Sequence, residues 1–594
     1  MKMALNQNWD LESIFPGGSS SQAYIAYLDS LDAALKSLLA ETSGAAPADA
    51  EQWVVLLDRV QDLAKKVRHA GAFVGCLTAQ NVKDEQAKLL AGRMRVIGAA
   101  FASSLTYLDK HVTDMSEEEW VSLASHPSLA PIKFNLDERR RRAKEKMPTA
   151  QETLVNDLSI DGYHGWSTLY DTVVGRMSIA IEENGKTVRL SPGQAENKMK
   201  SPDREFREHV FARWEEAWTN EADFCALALN NLAGFRLNLY KHRGWTDVTS
   251  EPLDYNRMQP ATLAAMWSAI KANEGRLVKF LKRKQELLGT DKLDWHDVTA
   301  PIGSAGSHMS FDEAAEFIVE QFRRFNPAMA DFTAKCFHER WIEAEDRPGK
   351  RPGAFCTTFP EKQESRVFMT FSGTMGNVTT LAHELGHAYH QSVMNELPPF
   401  AQQYAMNVAE TASTFAEVAV GDAALALAKS KDEKITLIED KLQRAATLLM
   451  NIQARYLFET RFYEERKLGV VSKQRLNELM VAAQREAFAD TLEKYHPHFW
   501  AAKLHFYMTT VPFYNFPYTF GYLFATGVYA QAMKEGPTFA KKYDDLLRDT
   551  GRMRTEDLAL RHLGVDITRQ DFWQSAIDSA LAELDEFLAL TAKA

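Results

Sequence analysis

The stretch Leu381-Ala382-His383-Glu384-Leu385-Gly386-His387-Ala388-Tyr389-His390 constrains this chain more than any other, because it sets two imidazoles four residues apart with a carboxylate directly after the first. On an α-helix that spacing leaves His383 and His387 about 40° apart around the axis and about 6 Å apart along it, so both rings can grip one ion. The HExxH pattern holds one Zn²⁺ per chain between the two histidines. Glu384, on the same side of the helix and not a ligand, is placed to take a proton from a water activated at the metal. The competing reading is an amphipathic core helix with a satisfied His pair. It is disfavoured because burying these polar side chains is costly without a metal to bind.

The 594 residues allow several domains, or one large helical body with a smaller lobe. With 69 Lys+Arg against 80 Asp+Glu the chain argues against a phosphate-binding surface, so nucleic acid is not an expected partner. Cys76, Cys225, Cys336 and Cys356 form no CxxC pair, which excludes a cysteine zinc ribbon and provides no disulfide framework. The first twenty residues lack an apolar core of signal-peptide length, and no later segment approaches 18 uninterrupted apolar residues. The expectation is a soluble cytoplasmic protein with no membrane partner.

Residues 20 to 150 read as successive long amphipathic helices with nothing chemical on them. The basic run Arg139 to Arg142, continued by Lys144 and Lys146 and flanked by Glu138 and Glu145, reads as a solvated helix face. Alternating segments on either side of Asn184-Gly185 predict a small β-hairpin over about 177–190. Ser191-Pro192-Gly193 and Ser201-Pro202-Asp203 punctuate the chain before a long helix from about 203 to 241. These features place a lobe boundary near residue 200, dividing an N-terminal helical lobe (1–200) from a catalytic domain (201–594). Further on, the loop 301 to 307 precedes a helix capped by Ser310. Short β-rich runs over 349 to 376 lead into the metal helix, with Asn377 as its expected N-cap. The remainder is helical by period, with Phe572, Trp573, Ile577, Leu581, Leu584 and Leu588 forming a core stripe.

A catalytic zinc takes three protein ligands, so a third donor is needed downstream. The metzincin solution fails because His390 and Val393 stand where its further Gly and His belong. A carboxylate is expected instead, and Glu396, Glu410 and Glu417 are the nearest. Glu396 falls in a turn beside Leu397-Pro398-Pro399, whereas Glu410 lies in an expected second helix over 404 to 427. Glu417, seven residues on, shares that face and is a candidate to hydrogen-bond a ligand histidine.

Trp9-Asp10-Leu11, Gly353-Ala354-Phe355-Cys356, the His383 to Ala388 motif and Ala409-Glu410-Thr411-Ala412-Ser413-Thr414 together resemble the thimet-oligopeptidase-like zinc peptidases, most closely their oligoendopeptidase F branch. The resemblance spans nearly the whole chain. It implies a mainly α, two-lobed helical, zincin-like metallopeptidase fold with a deep central channel and a small β element before the active-site helix. It places the third zinc ligand on Glu410. It implies oligopeptide substrates, bound along an edge strand falling here on Arg366 to Ser372. It also draws His505 and the tyrosines of the following aromatic run, with Tyr518 matching best and Tyr514 and Tyr522 as further candidates, into substrate binding and oxyanion stabilisation. Without the resemblance, that run reads as a core stripe.

The expected activity is hydrolysis of internal peptide bonds, with Glu384 as general base and later general acid. Two rivals stand beside it. One is a zinc carboxypeptidase or dipeptidyl carboxypeptidase, which needs a cationic group to hold the substrate C-terminus. The other is a peptide-binding protein without turnover.

Overall fold

The computed structural model describes residues 5–183, 185–303 and 308–592, and most of that length is helical. The chain forms two compact units, each assembled from separate stretches: 1–146, 307–423 and 531–564 in the first, and 147–306, 424–530 and 565–594 in the second. This grouping departs from a single boundary near residue 200, since residues 147–200 fall in the second unit. Periodicity reports which face a helix buries, and it carries no information on which distant stretch covers that face.

Five strands are present among the described residues. β1 (Ile179–Glu183) and β2 (Lys186–Leu190) pair antiparallel, Ile179 opposite Leu190 and Glu183 opposite Lys186, in the expected hairpin. Gly185 takes a positive φ of 72° in its turn, which glycine adopts without a Cβ penalty. Asn184 lies outside the described residues, as do Ser304 to Ser307 of the expected 301–307 loop. β3 (Ile342–Glu343), β4 (Phe355–Phe359) and β5 (Glu364–Phe368) form a sheet in the order β3-β5-β4, with β5 parallel to β3 and antiparallel to β4. The expectation of an open edge at Arg366 to Ser372 is therefore corrected. β5 is the central strand, and Met369 and Phe371 beyond it donate to the carbonyls of Glu343 and Ala344. Ser365, Arg366, Val367 and Phe368 are all buried, the run without alternation that a central strand produces. An edge of this sheet belongs to β4.

In the first unit, helices Gln22–Thr42, Ala50–Gln80 and Glu85–Asp114 begin where Ser21, Asp49 and Asp84 accept the backbone N–H of Tyr24, Gln52 and Ala87. The first helix buries Tyr24, Leu28, Leu31, Leu35 and Leu38, a stripe at three- and four-residue spacing worth about 1.5–3 kcal/mol per large side chain. The resulting core continues into Phe359 and Phe368 of the sheet. Trp9 donates its indole N–H to Gln80 (2.7 Å), and the Asp10 carbonyl accepts from Nε and Nη2 of buried Arg366 at 3.1 and 2.9 Å. The Trp9-Asp10-Leu11 motif thus pins the N-terminus to the sheet. The basic run is not simply a solvated face. Arg140 is buried, donating to the carbonyls of Val112 (3.0 Å) and Met115 (2.8 Å) and pairing with Glu117 at 2.9 Å. Net charge along a run does not reveal which single residue turns inward.

In the second unit the long helix Arg204–His242, capped by Asp203, buries Trp214, Trp218, Cys225, Leu229 and Leu232. The C-terminal stripe of Phe572, Trp573, Ile577, Leu581 and Leu584 is core as expected, whereas Leu588 at its end is half-buried. No helix among the described residues is long and apolar enough to cross a membrane.

Candidate metal centre

The ligand helix Met375–Met394 begins at Thr374, whose side chain accepts from the Asn377 N–H at 3.2 Å. Asn377, the expected cap, sits instead in the first turn, where its Oδ1 accepts from the Ser372 N–H (2.8 Å) and hydroxyl (2.7 Å). The two residues exchange roles because the chain enters the helix three residues earlier than its glycines suggest. Gly386, inside the motif, answers a packing demand. A Cβ there would lie 2.6 Å from the Ala412 carbonyl oxygen and 2.7 Å from Ser413 Cα, so glycine allows the ligand helix to approach the chain that follows Glu410.

That following stretch is not the single helix expected over 404 to 427. It is a short helix, Met406–Ala409, and a longer one, Thr411–Ala426, with Glu410 at the break (φ −86°, ψ 5°). Glu410 Oε2 lies 3.2 Å from His383 Nε2 and 3.5 Å from His387 Nε2. Glu417 Oε2 lies 3.2 Å from His383 Nδ1, on the opposite side of the same ring. Ser413 donates its hydroxyl to Glu410 Oε2 at 2.6 Å. Glu396 is exposed and stands outside this group.

The donors fit a zinc ion. Bonds of about 2.0–2.1 Å in a tetrahedron put neighbouring donor atoms roughly 3.3 Å apart. The contacts of 3.2 and 3.5 Å from Glu410 to the two histidines bracket that spacing. Glu417 supplies the carboxylate that commonly fixes the tautomer of a ligating imidazole.

Glu384 is buried beside this triangle, and burial raises its pKa to about 7, with the Glu410 charge adding and His383 opposing. Burial likewise lowers His387 to about 4, against the pull of Glu410. For Glu410 burial works upward, yet the His383 hydrogen bond and the two imidazoles outweigh it and hold the carboxyl below its ordinary range. These residues open onto a cavity of about 430 Å³, whose wall includes residues 354–358 at β4 and, from elsewhere in the unit, Arg68 and Tyr404. The resemblance motif had pointed to Gly353 to Cys356 without giving it a place. Arg68 carried no signal at all.

In the second unit the chain brings together His505, Tyr514 and Tyr518, with ring centroids 5.5 to 5.9 Å apart. All three are half-buried, whereas Tyr522, at 4% exposure, belongs to the core. The turn that presents Tyr514 holds Phe513 at φ 51°, a strained conformation for a bulky residue. Burial lowers His505 to about 4, helped by the charges of Arg455 and Lys503.

Residues 198–579 match the family model described as Peptidase family M3, and residues 112–178 match one described as Oligopeptidase F. The Group B oligopeptidase PepB of Streptococcus agalactiae serotype III (strain NEM316) is 21% identical over 91% of this chain and 91% of its own length. A solved protein from Chlamydophila abortus superposes with a TM-score of 0.84 at 20% identity, covering 99% of each chain. Oligoendopeptidase-F from Enterococcus faecium does so with a TM-score of 0.71 at 17% identity, covering 96% of this chain and 99% of its own. At those identities the structural likeness establishes the mainly helical fold.

Proposed function

The chain belongs to peptidase family M3, and from that premise we propose a zinc-dependent endopeptidase that hydrolyses internal bonds of short oligopeptides. The observation that carries the proposal is the convergence of His383, His387 and Glu410 at zinc-ligand spacing, with Glu417 behind one histidine and Glu384 beside them. Zn²⁺ held there supplies a Lewis acid that polarises a carbonyl and lowers the pKa of water toward 7.

The remaining chemistry belongs to side chains. The Glu384 carboxylate accepts the proton of the attacking water and delivers it to the leaving amine. Burial, which raises this carboxyl above its ordinary range, favours its holding the proton between the two transfers. β4 is an edge strand whose residues line the cavity, which supports peptide binding by strand addition there and not at Arg366 to Ser372. Stabilisation of the tetrahedral oxyanion is assigned, following the family resemblance, to a donor of the His505, Tyr514 and Tyr518 group. Its cationic neighbours Arg455 and Lys503 support that role. A cytoplasmic setting completes the proposal, resting on the scattered thiols of the sequence.

Metal analysis combined with cleavage of a peptide blocked at both ends tests this reading. Zinc near one per chain and a cut at an internal bond are expected. Removal of units from the C-terminus of unblocked peptides alone would replace it with the exopeptidase reading, and binding without cleavage with the peptide-binding one.

A further inference from the structure

Arg68 lies on the helix Ala50–Gln80 and is exposed to solvent where that helix borders the metal cavity. Three buried arginines have carboxylate partners: Arg366 with Glu364, Arg207 with Asp297 and Arg140 with Glu117, each at 2.9 Å. Among the described residues Arg68 has none. Its Nη2 donates to Gln391 Oε1 at 3.1 Å, and Gln391 is held in that orientation because its Nε2 donates to Gln402 at 2.8 Å. Dense surroundings lower the pKa of the guanidinium, offset only by Tyr404 and Cys356. An arginine nevertheless stays charged. The cavity therefore contains a fixed planar cation with donors to spare.

Its position bears on the substrate. Gln391 follows His387 by four residues, so the guanidinium is anchored about 6 Å further along the ligand helix. An extended peptide advances about 3.3 Å per residue, and that distance corresponds to roughly two residues. A carboxylate matches the guanidinium fork in charge and shape, whereas a peptide carbonyl carries no charge and offers one oxygen.

We propose that Arg68 is a specificity residue that binds a carboxylate of the bound peptide within about two residues of the cut. This rests on the reading of the cavity as a peptidase site. The carboxylate has two possible sources, the free C-terminus of a short peptide or an internal Asp or Glu side chain.

The experiment uses zinc-loaded protein carrying Glu384→Gln, so that peptides bind without turnover. Dissociation constants are measured for four peptides of one sequence: C-terminal acid or amide, each with Glu or Gln at the positions flanking the central bond. Neutralising the recognised carboxylate is expected to weaken binding roughly 10-fold to 100-fold. Adding Arg68→Gln should abolish that difference, and Arg68→Lys should keep part of it. Loss on amidation assigns the C-terminus, and loss on Glu-to-Gln replacement assigns a side chain. Equal affinity for all four peptides, no measurable binding, or discrimination that survives in Arg68→Gln overturns the proposal. If Arg68→Gln melts early, the Arg68→Lys series decides, since a point charge without the fork must still reduce discrimination. Separately, the unmodified protein is offered all four peptides. Failure to cleave every peptide defeats the peptidase reading, while the binding comparison judges Arg68 alone.

Discussion

The metal centre and the aromatic group around His505 each contain a histidine whose pKa burial lowers to about 4, yet opposite charges surround the two. His387 faces the carboxylate of Glu410, which pulls its pKa upward. The charges of Arg455 and of Lys503, itself paired with Glu196 at 2.6 Å, push the pKa of His505 down further. Arg455 donates to the amide oxygens of Asn451 (2.9 Å) and Asn515 (3.3 Å). A carboxylate-lined histidine pair invites a cation. A cation-lined histidine and its tyrosines suit negative charge that develops during reaction. Burial alone does not distinguish the two regions; the sign of the neighbours does.

The largest expected effect breaks the cationic half of this comparison. Glu410→Ala removes one of three donors and should abolish stoichiometric zinc. Glu417→Ala, which only loosens the His383 ring, should weaken zinc roughly 10-fold to 100-fold. Competition with a chelator of known affinity measures both, and the reverse order would refute the ligand assignment. Next in size, Glu384→Gln should retain zinc and lose roughly 10²–10⁴-fold in kcat, because the amide cannot accept the proton. Turnover near that of the unmodified protein, at equal zinc content, would remove Glu384 from the mechanism.

What was legible in the sequence followed the range of the interactions. His383, Glu384 and His387 depend on spacing within one helix, and that spacing alone brought them together. Glu410 was among the open candidates because it lies nearby, but the helix break that presents it was invisible. Nothing in the local composition requires that break, and the Ala412 and Ser413 backbone close against Gly386 explains the glycine only once both helices are seen. Thr374 and Asn377 are equally good caps by chemistry, so the choice depended on where the chain turns. The sheet order depended on pairing across distance. Arg366 to Phe368 reads as β-rich in either place, and only hydrogen bonding on both sides makes it central. Arg68 stands on an ordinary amphipathic helix, where its cavity-facing position comes from packing more than three hundred residues away in sequence.

A smaller effect sharpens the anionic half. If the aromatic group donates to an oxyanion, Tyr518→Phe should keep zinc and thermal stability while losing roughly 10²-fold in kcat, with KM changing much less. Tyr522, buried in the core, provides the control. Its Phe variant should cost about 1 kcal/mol of stability at most and leave kcat intact. Should Tyr514→Phe show the kcat loss and Tyr518→Phe show none, the donor is the neighbouring ring. Full kcat in both, and in His505→Ala, would return the run to packing.

The last effect, on stability alone, concerns a carboxyl that behaves oppositely to Glu410. Glu459 is 4% exposed, and burial raises its pKa to about 8 against the pull of Arg236. It accepts from the backbone N–H of Phe513, the strained residue before Tyr514, and lies 3.4 Å from Asn515 Nδ2. In an unfolded chain a glutamate ionises near pH 4.3, at roughly its unperturbed value. Below that pH both states hold the proton and stability is unaffected. Between about 4.3 and 8 the unfolded state binds fewer protons than the folded one, so stability falls as pH rises, and above about 8 this decline ends. Glu459→Gln keeps an acceptor oxygen for the Phe513 N–H and carries no charge at any pH. Its stability should therefore match that of the unmodified protein near pH 4.5 and exceed it increasingly toward pH 8, by up to about 1.4 kcal/mol for each pH unit. Comparing the two proteins at each pH cancels the titration of the metal centre, which they share. A variant less stable at pH 8, or a gap that stays constant with pH, would show that Glu459 is ionised in the folded protein, and the aromatic turn would then be tied down by a charge just as His383 is.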